Sequence, residues 1–238
     1  MKNILITGGS RGIGADMVRL FSEKGHSVAF TYKNSDEKAL CLAEETKSLA
    51  IYADNASEAE VICAVEKANA FFGDVDVLIN NAGVSSFSLF TDITSEAWKH
   101  IFDVNVNGTF YFTKAVLPKM IQKKQGRIIN ISSMWGISGS SCEVHYSATK
   151  AALIGMTKAL AKEVGPSGIT VNCIAPGVIS TDMNSSLTED DINALIDDTP
   201  LNRIGSPRDI SNMAYFLSSE EAAFITGQVI SVDGGFIL

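Results

Sequence analysis

The chain has 238 residues, 46% of them hydrophobic and 19% charged, a globular composition that excludes a disordered or fibrous protein. A formal net charge of −8 excludes a general grip on nucleic acid, which requires a basic face. No apolar stretch reaches the ~18 residues that a membrane-spanning helix needs, so neither nucleic acid nor membrane is expected as a partner.

Apolar strand-like runs alternate with helical patterns. Residues 3–7 read as a strand that starts almost at Met1, so a cytoplasmic protein without a signal peptide is expected. A helix follows over 12–24, then a strand over 27–32, a helix over 35–47, a strand over 49–53 and a helix over 57–72. The fourth strand is 75–80, and a long helical region, divisible into two pieces, covers 95–123. Strand 127–132, helix 145–164 and strand 169–175 come next, then helices 188–197 and 207–218 and a last strand over 228–232.

These strands are near-continuous apolar runs, the pattern of strands covered on both faces. The expected fold is α/β, a Rossmann-type three-layer architecture with a seven-stranded parallel sheet flanked by helices. No linker divides the chain, so one domain over 1–238 is expected. Residues 177–200 are polar and weakly patterned, follow a strand end and make a candidate lid.

Cys41, Cys63, Cys142 and Cys173 have no metal-binding spacing and read as reduced thiols, Cys173 as a buried one. His26, His100 and His145 form no cluster; His145 reads as a helix-start or pocket-rim residue.

Gly8, Gly12 and Gly14 stand between the first strand and the first helix. Backbone there can approach a pyrophosphate, and the helix start offers free N–H groups and partial positive charge. The second strand ends in Tyr32 and Lys33 with no acid for a ribose 2′-hydroxyl. Lys33, together with Arg11 in the glycine turn, would suit a 2′-phosphate, which favours NADP(H) over NAD(H). Asp36 belongs to the first turn of the next helix.

Tyr146 and Lys150 are four residues apart, on one face of a helix, and Ser133 lies thirteen residues before the tyrosine. A cation beside a phenol favours the phenolate, so the pair is a device for moving a proton. Side chains alternate along a strand, so only one of Ser132 and Ser133 should face that device.

With Thr7 to Gly14, Asn80-Asn81-Ala82-Gly83, Asn105 to Gly108, Ile131-Ser132-Ser133, Tyr146-x-x-x-Lys150 and Pro176-Gly177 in this order, the chain resembles a short-chain dehydrogenase/reductase over essentially its whole length. Within that family it is most similar to the 3-oxoacyl-acyl-carrier-protein reductases, a closer likeness carried by 168–177, Thr181-Asp182-Met183 and the stretch from Thr226 to Gly235. The resemblance implies catalytic roles for four residues. Tyr146 is the general acid, Lys150 holds ribose hydroxyls and lowers the tyrosine pKa, Ser133 hydrogen-bonds the substrate oxygen, and Asn105 holds a water. It implies cofactor contacts from Gly8, Ser10, Arg11, Gly12, Ile13 and Gly14, and from Tyr32 and Lys33. Asp54 and Asn55 would meet adenine, Asn81, Ala82 and Gly83 the adenosine ribose, and Pro176, Gly177, Ile179 and Thr181 the nicotinamide. No metal is implied.

The substrate is expected to be a small carbonyl compound, possibly carried on acyl carrier protein. The segment 134–144 and the lid, with Met183 and Leu187, should line its pocket, with Phe87, Leu89 and Phe90 as an apolar wall. Trp135 either narrows the site or simply packs. Carrier docking needs cations near the entrance, for which Lys123, Lys124 and Arg127 are candidates, although these three also read as a helix C-terminal cap. Such reductases often carry a basic residue just before Gly168, where this chain has Ser167. Reduction of another small or cyclic ketone, or a silent nucleotide-binding regulator, are the alternatives. The resemblance also implies a homotetramer built on the helices ending near Lys123 and Val164, with Phe236 and Ile237 at a second interface.

Overall fold

A computed structural model describes residues 1–182 and 188–237. Seven parallel strands form one sheet in the order β3-β2-β1-β4-β5-β6-β7. They are β1 (Asn3–Ile6), β2 (Ser27–Tyr32), β3 (Leu49–Tyr52), β4 (Val77–Asn80), β5 (Gly126–Ile131), β6 (Ile169–Pro176) and β7 (Val229–Val232). Every residue of β4, β5 and β6 is buried, as their unbroken apolar runs predict, whereas the edge strands β3 and β7 are partly exposed.

Two cores form, one on each face of the sheet. Helices α1 (Gly12–Glu23), α2 (Asp36–Thr46) and α9 (Pro207–Ser218) cover one face around Met17, Phe21, Phe30 and Leu217. Helices α3 (Glu58–Phe72), α5 (Gly108–Lys123) and α7 (Val144–Val164) cover the other around Val65, Phe112, Met120 and Val164. Chain order reverses between β1 and β4, which are paired neighbours (Ile4 with Val77, Ile6 with Ile79). At such a reversal two connections leave in opposite directions and open a crevice outside the carboxyl ends of the strands.

The region 95–123 is two helices, α4 (Ser95–Phe102) and α5, joined by a widened turn over Asp103–Asn107. A short helix, α6 (Trp135–Ser138), and two single 3₁₀ turns carried no periodic signal in the sequence. The expected lid is pinned at its start, where Ser180 N–H donates to Gly205 O at 2.9 Å and Gly205 N–H to Val178 O at 2.8 Å. Beyond it, α8 (Glu189–Asp197) buries no residue. Met183 and Leu187 lie outside the described residues.

Candidate active site

The glycine turn is packed tightly onto the loop after β4. A Cβ on Gly8 would stand 2.8 Å from Ala82 Cα, and one on Gly14 would stand 2.2 Å from Gly8 O. Gly8 (φ +65°) and Gly12 (φ +54°) adopt the left-handed conformation. Asn81 Nδ2 donates to both Thr7 O and Gly8 O at 3.0 Å, and Thr7 Oγ1 accepts the N–H groups of Asn81 (3.0 Å) and Ala82 (2.9 Å). The asparagine therefore braces the turn, and Thr7 is a structural partner that motif reading did not single out. The first N–H groups of α1, from Gly12, Ile13 and Gly14, have no carbonyl one turn before them within the helix.

Ser10, Arg11 and Gly12 line an open cavity of about 600 Å³ that also includes Lys38. Arg11 is exposed and precedes α1. Lys33 does not stand free beside it: its Nζ pairs with Asp54 Oδ2 at 2.5 Å. That corrects the expectation of two cations open to a phosphate. β2 and β3 are adjacent and parallel, so side chains at their ends meet. Tyr32 leans edge-on against Tyr52, 6.1 Å between ring centres. Asn55 is buried against Gly108, where a Cβ would fall 2.8 Å from the Asn55 side chain.

At the carboxyl end of β5, Ser132 and Ser133 face opposite ways. Ser132 Oγ donates to Lys150 O at 2.8 Å and so anchors α7, while Ser133 faces Tyr146 closely enough to draw the phenol's pKa downward. Ser133 Oγ also accepts Trp135 N–H at 3.1 Å. Lys150 Nζ donates to Ile131 O at 2.8 Å and lies 5.6 Å from the centre of the Tyr146 ring. Gly83 leaves room opposite: its missing Cβ would be 3.3 Å from both Lys150 Nζ and Asn105 Oδ1.

Asn105 is fully buried in the widened turn. Its Oδ1 accepts Val84 N–H at 2.8 Å, and its Nδ2 donates to Val84 O at 2.9 Å and to Thr149 Oγ1 at 3.1 Å. The side chain thus ties the loop after β4 to α7, next to Lys150. Asn107 instead bonds Asp103 at 2.8 Å, away from this cluster.

The tyrosine pKa departs from expectation in sign. Burial pushes Tyr146 up to about 12, against a downward pull from the Ser133 hydroxyl and with a further upward push from the Glu143 charge. Burial draws Lys150 down to about 8. A phenolate without water costs more than an ammonium held by a carbonyl at that distance returns. Cys173, buried as expected, is pushed up to about 11 by the same loss of water.

Two other expectations change. Lys123, Lys124 and Arg127 stand at the amino edge of the sheet, because α5 runs back against its strands before β5 begins. Lys123 pairs with Asp76 at 3.3 Å, and Arg127 is buried beside Glu220 at 3.3 Å. They therefore do not flank this chain's own crevice. His145, the second residue of α7, is 1% exposed, which answers its alternatives in favour of a helix start. Phe87 and Leu89 are exposed, and Phe90 lines a separate cavity of about 590 Å³ with Ile93 and Trp98, one that includes neither Ser133 nor Tyr146. Trp135 packs edge-on against Phe236 at 5.7 Å, which answers its alternatives in favour of packing. Pro176 O accepts Met134 N–H at 2.9 Å, a Cβ on Gly177 would meet Asp233 Cα at 2.7 Å, Ile179 pairs with Gly205, and Thr181 is the nearest side chain to the Cβ position of Gly12, at 3.3 Å. The loop after β6 therefore closes on the glycine turn.

A family model described as enoyl-(acyl carrier protein) reductase matches residues 8–237. The chain belongs to the short-chain dehydrogenase/reductase family. It is 40% identical to the 3-oxoacyl-[acyl-carrier-protein] reductase FabG of Staphylococcus epidermidis, covering 100% of this chain and 99% of that one. A crystal structure of a 3-oxoacyl-[acyl-carrier protein] reductase from Brucella melitensis superposes with a TM-score of 0.93 at 32% identity, covering 100% and 92% of the two chains. A short-chain dehydrogenase/reductase mutant of Serratia marcescens gives 0.93 at 34% identity, covering 99% and 97%. Like its family, the chain is an oxidoreductase, and its family implies a nicotinamide cofactor. No helix among the described residues is long and apolar enough to cross a membrane.

Proposed function

We propose that this short-chain dehydrogenase/reductase uses NADPH to reduce the 3-keto group of a 3-oxoacyl thioester. The observation that carries the reading is the convergence of Ser133, Tyr146 and Lys150 in a chain 40% identical, end to end, to a reductase of that name. The cofactor fits the residues present. The glycine turn has no room for side chains at Gly8 and Gly14, and it opens onto unpaired helix N–H groups, as a pyrophosphate requires. Arg11 would meet a 2′-phosphate, Asp54 and Asn55 the adenine, Asn81, Ala82 and Gly83 the ribose, and Pro176 to Thr181 the nicotinamide ring.

When bound, the nicotinamide supplies hydride to the carbonyl carbon. Negative charge then grows on the carbonyl oxygen, where Ser133 donates a hydrogen bond and Tyr146 transfers its proton. The Lys150 ammonium holds the ribose hydroxyls and balances the phenolate left behind. Burial keeps Tyr146 protonated until the substrate oxygen becomes the stronger base.

The thioester is carried by acyl carrier protein in this reading, in a cytoplasmic homotetramer whose contacts include the exposed Phe110 and Ile121 of α5. One observation favours a second reading, a smaller free ester or ketone: Lys123 is neutralised, Arg127 is buried, and Ser167 is uncharged. NADPH consumption with acetoacetyl-carrier protein, acetoacetyl-coenzyme A and cyclic ketones separates the two. Turnover of the thioesters supports the first, turnover of cyclic ketones alone supports the second, and tight NADPH binding with no turnover on any carbonyl overturns both.

A further inference from the structure

Another polar group stands at the head of α7. Glu143, in a non-helical conformation, precedes the helix by one position and Tyr146 by three. Ser85 Oγ donates to Glu143 Oε1 at 2.6 Å. Ser85 lies in the loop leaving β4, two residues past Gly83, so this bond spans the crevice wall. The next residue repeats the tie: Ser86 Oγ meets the buried His145 Nε2 at 2.5 Å. Glu143 is half-buried and, among the described residues, has no ion-pair partner. Its negative charge is felt at Tyr146, where it opposes loss of the phenolic proton.

We propose that Glu143 is a charge-selecting residue that admits 3-oxoacyl esters and thioesters to Tyr146 and turns away free 3-oxo acids. This rests on Tyr146 protonating the substrate ketone, as above. In a free 3-oxo acid the carboxylate carbon is two bonds from the ketone carbon. In the proposed docking, with the ketone oxygen on Ser133 and Tyr146, that carboxylate lies on the side of the crevice where the Glu143 charge already reaches the phenol. The corresponding ester is neutral at the same place. Two anions on one side of a crevice that excludes part of the water repel each other. Selection here comes from a repulsive contact rather than from an added attraction. The acid is rejected although its ketone matches the ester's.

The test compares acetoacetate with methyl acetoacetate, using NADPH and the full-length protein. Wild type is expected to favour the ester, and Glu143→Gln to raise kcat/KM for acetoacetate relative to the ester by about tenfold. Glu143→Lys moves the ratio further in the same direction. Any effect of the substitution on proton transfer acts on both substrates and cancels in the ratio. An unchanged ratio in both variants, with the ester still reduced, overturns the inference and leaves the proposed reduction standing. A wild type that reduces acetoacetyl-coenzyme A but neither of these substrates overturns the inference alone, and one that reduces none of the three overturns the reduction as well. Should the variants fail to fold, wild type alone decides: its preference for the ester must narrow as salt is raised, and a salt-independent preference counts against charge selection.

Discussion

Lys33 Nζ and Asp54 Oδ2 are 2.5 Å apart, an ion pair that links the carboxyl ends of β2 and β3. Burial, the largest single influence, raises the Asp54 carboxyl, but the Lys33 hydrogen bond, the Ala56 N–H and the Lys33 charge together outweigh it, and the net movement is downward. The lysine charge is thereby matched before any phosphate arrives. Arg11 has no such partner among the described residues. Arg11→Ala is therefore expected to weaken NADPH by roughly ten- to a hundredfold while barely changing NADH, because it removes a charge-assisted contact to the 2′-phosphate alone. Lys33→Met should cost less. Fluorescence titration with both cofactors measures the two effects, and equal weakening by Arg11→Ala would contradict the 2′-phosphate assignment.

Lys150 and Tyr146 set the pH dependence of reduction. With Tyr146 up at about 12, the phenol keeps its proton throughout the working range. With Lys150 down at about 8, the ammonium is lost first as pH rises. Reduction needs both protons in place, so kcat/KM is expected to hold below about pH 8 and to fall above it, the free enzyme's lysine giving the limb. In Lys150→Arg that limb should disappear below pH 10. Tyr146→Phe is expected to lose about 10²–10⁴-fold in reduction and leave NADPH binding nearly intact. A flat profile through pH 9 would remove Lys150 from this role.

The sheet and the site residues were legible because both leave a periodic or spaced trace. Buried strands such as β5 and β6 read as apolar runs, and Ser133, Tyr146 and Lys150 are set by chain offset. Charge partners across the fold leave no such trace. Asp54 is 21 residues from Lys33, and only the β2–β3 register brings them together. The fate of Lys123, Lys124 and Arg127 likewise follows from the direction of α5 rather than from local composition. The same holds for the buried ladder in which Asn80 Nδ2 donates to Asn130 Oδ1 at 2.9 Å and Asn130 Nδ2 to Thr157 Oγ1 at 2.8 Å. Its members sit on β4, β5 and α7, and each reads in isolation as a polar break in an apolar run. The sign of the Tyr146 shift was hidden for a related reason: spacing shows that a cation is near, but only burial shows that desolvation is larger.

Lys150 should also cost stability. Its folded pKa of about 8 lies below its ordinary value of 10.5, so the folded state prefers the neutral amine. The group's favourable contribution is present above pH 10.5 and is lost as pH falls through 8, leaving a buried ammonium at neutral pH. Lys150→Met is expected to stabilise the protein at pH 7 by up to about 3 kcal/mol, reduced by loss of the bond to Ile131 O. The gain should shrink as the pH of the urea titration approaches 10.5. A variant less stable than wild type at pH 7 would mean that the hydrogen bond outweighs the burial cost.

Three glycines separate steric exclusion from backbone strain. A Cβ on Gly14 meets Gly8 O at 2.2 Å and Asn81 Nδ2 at 2.7 Å, and neither is the free end of a flexible side chain, since that amide also holds Gly8 O. Gly14→Ala is therefore expected to spread the turn, weaken NADPH more than tenfold and lower the unfolding midpoint. Gly12 has φ +54°, but its Cβ would meet only the Thr181 side chain, at 3.3 Å. Gly12→Ala should cost about 1–2 kcal/mol in strain, with a smaller loss of cofactor affinity. Gly25, with φ +79° and nothing within 4 Å, pays the strain alone. Gly25→Ala should destabilise by a similar ~1 kcal/mol and leave NADPH binding untouched. Urea denaturation and cofactor titration on the three variants check this order. If Gly14→Ala bound NADPH as tightly as Gly25→Ala, the close approach of the turn to Asn81 would have no part in holding the pyrophosphate.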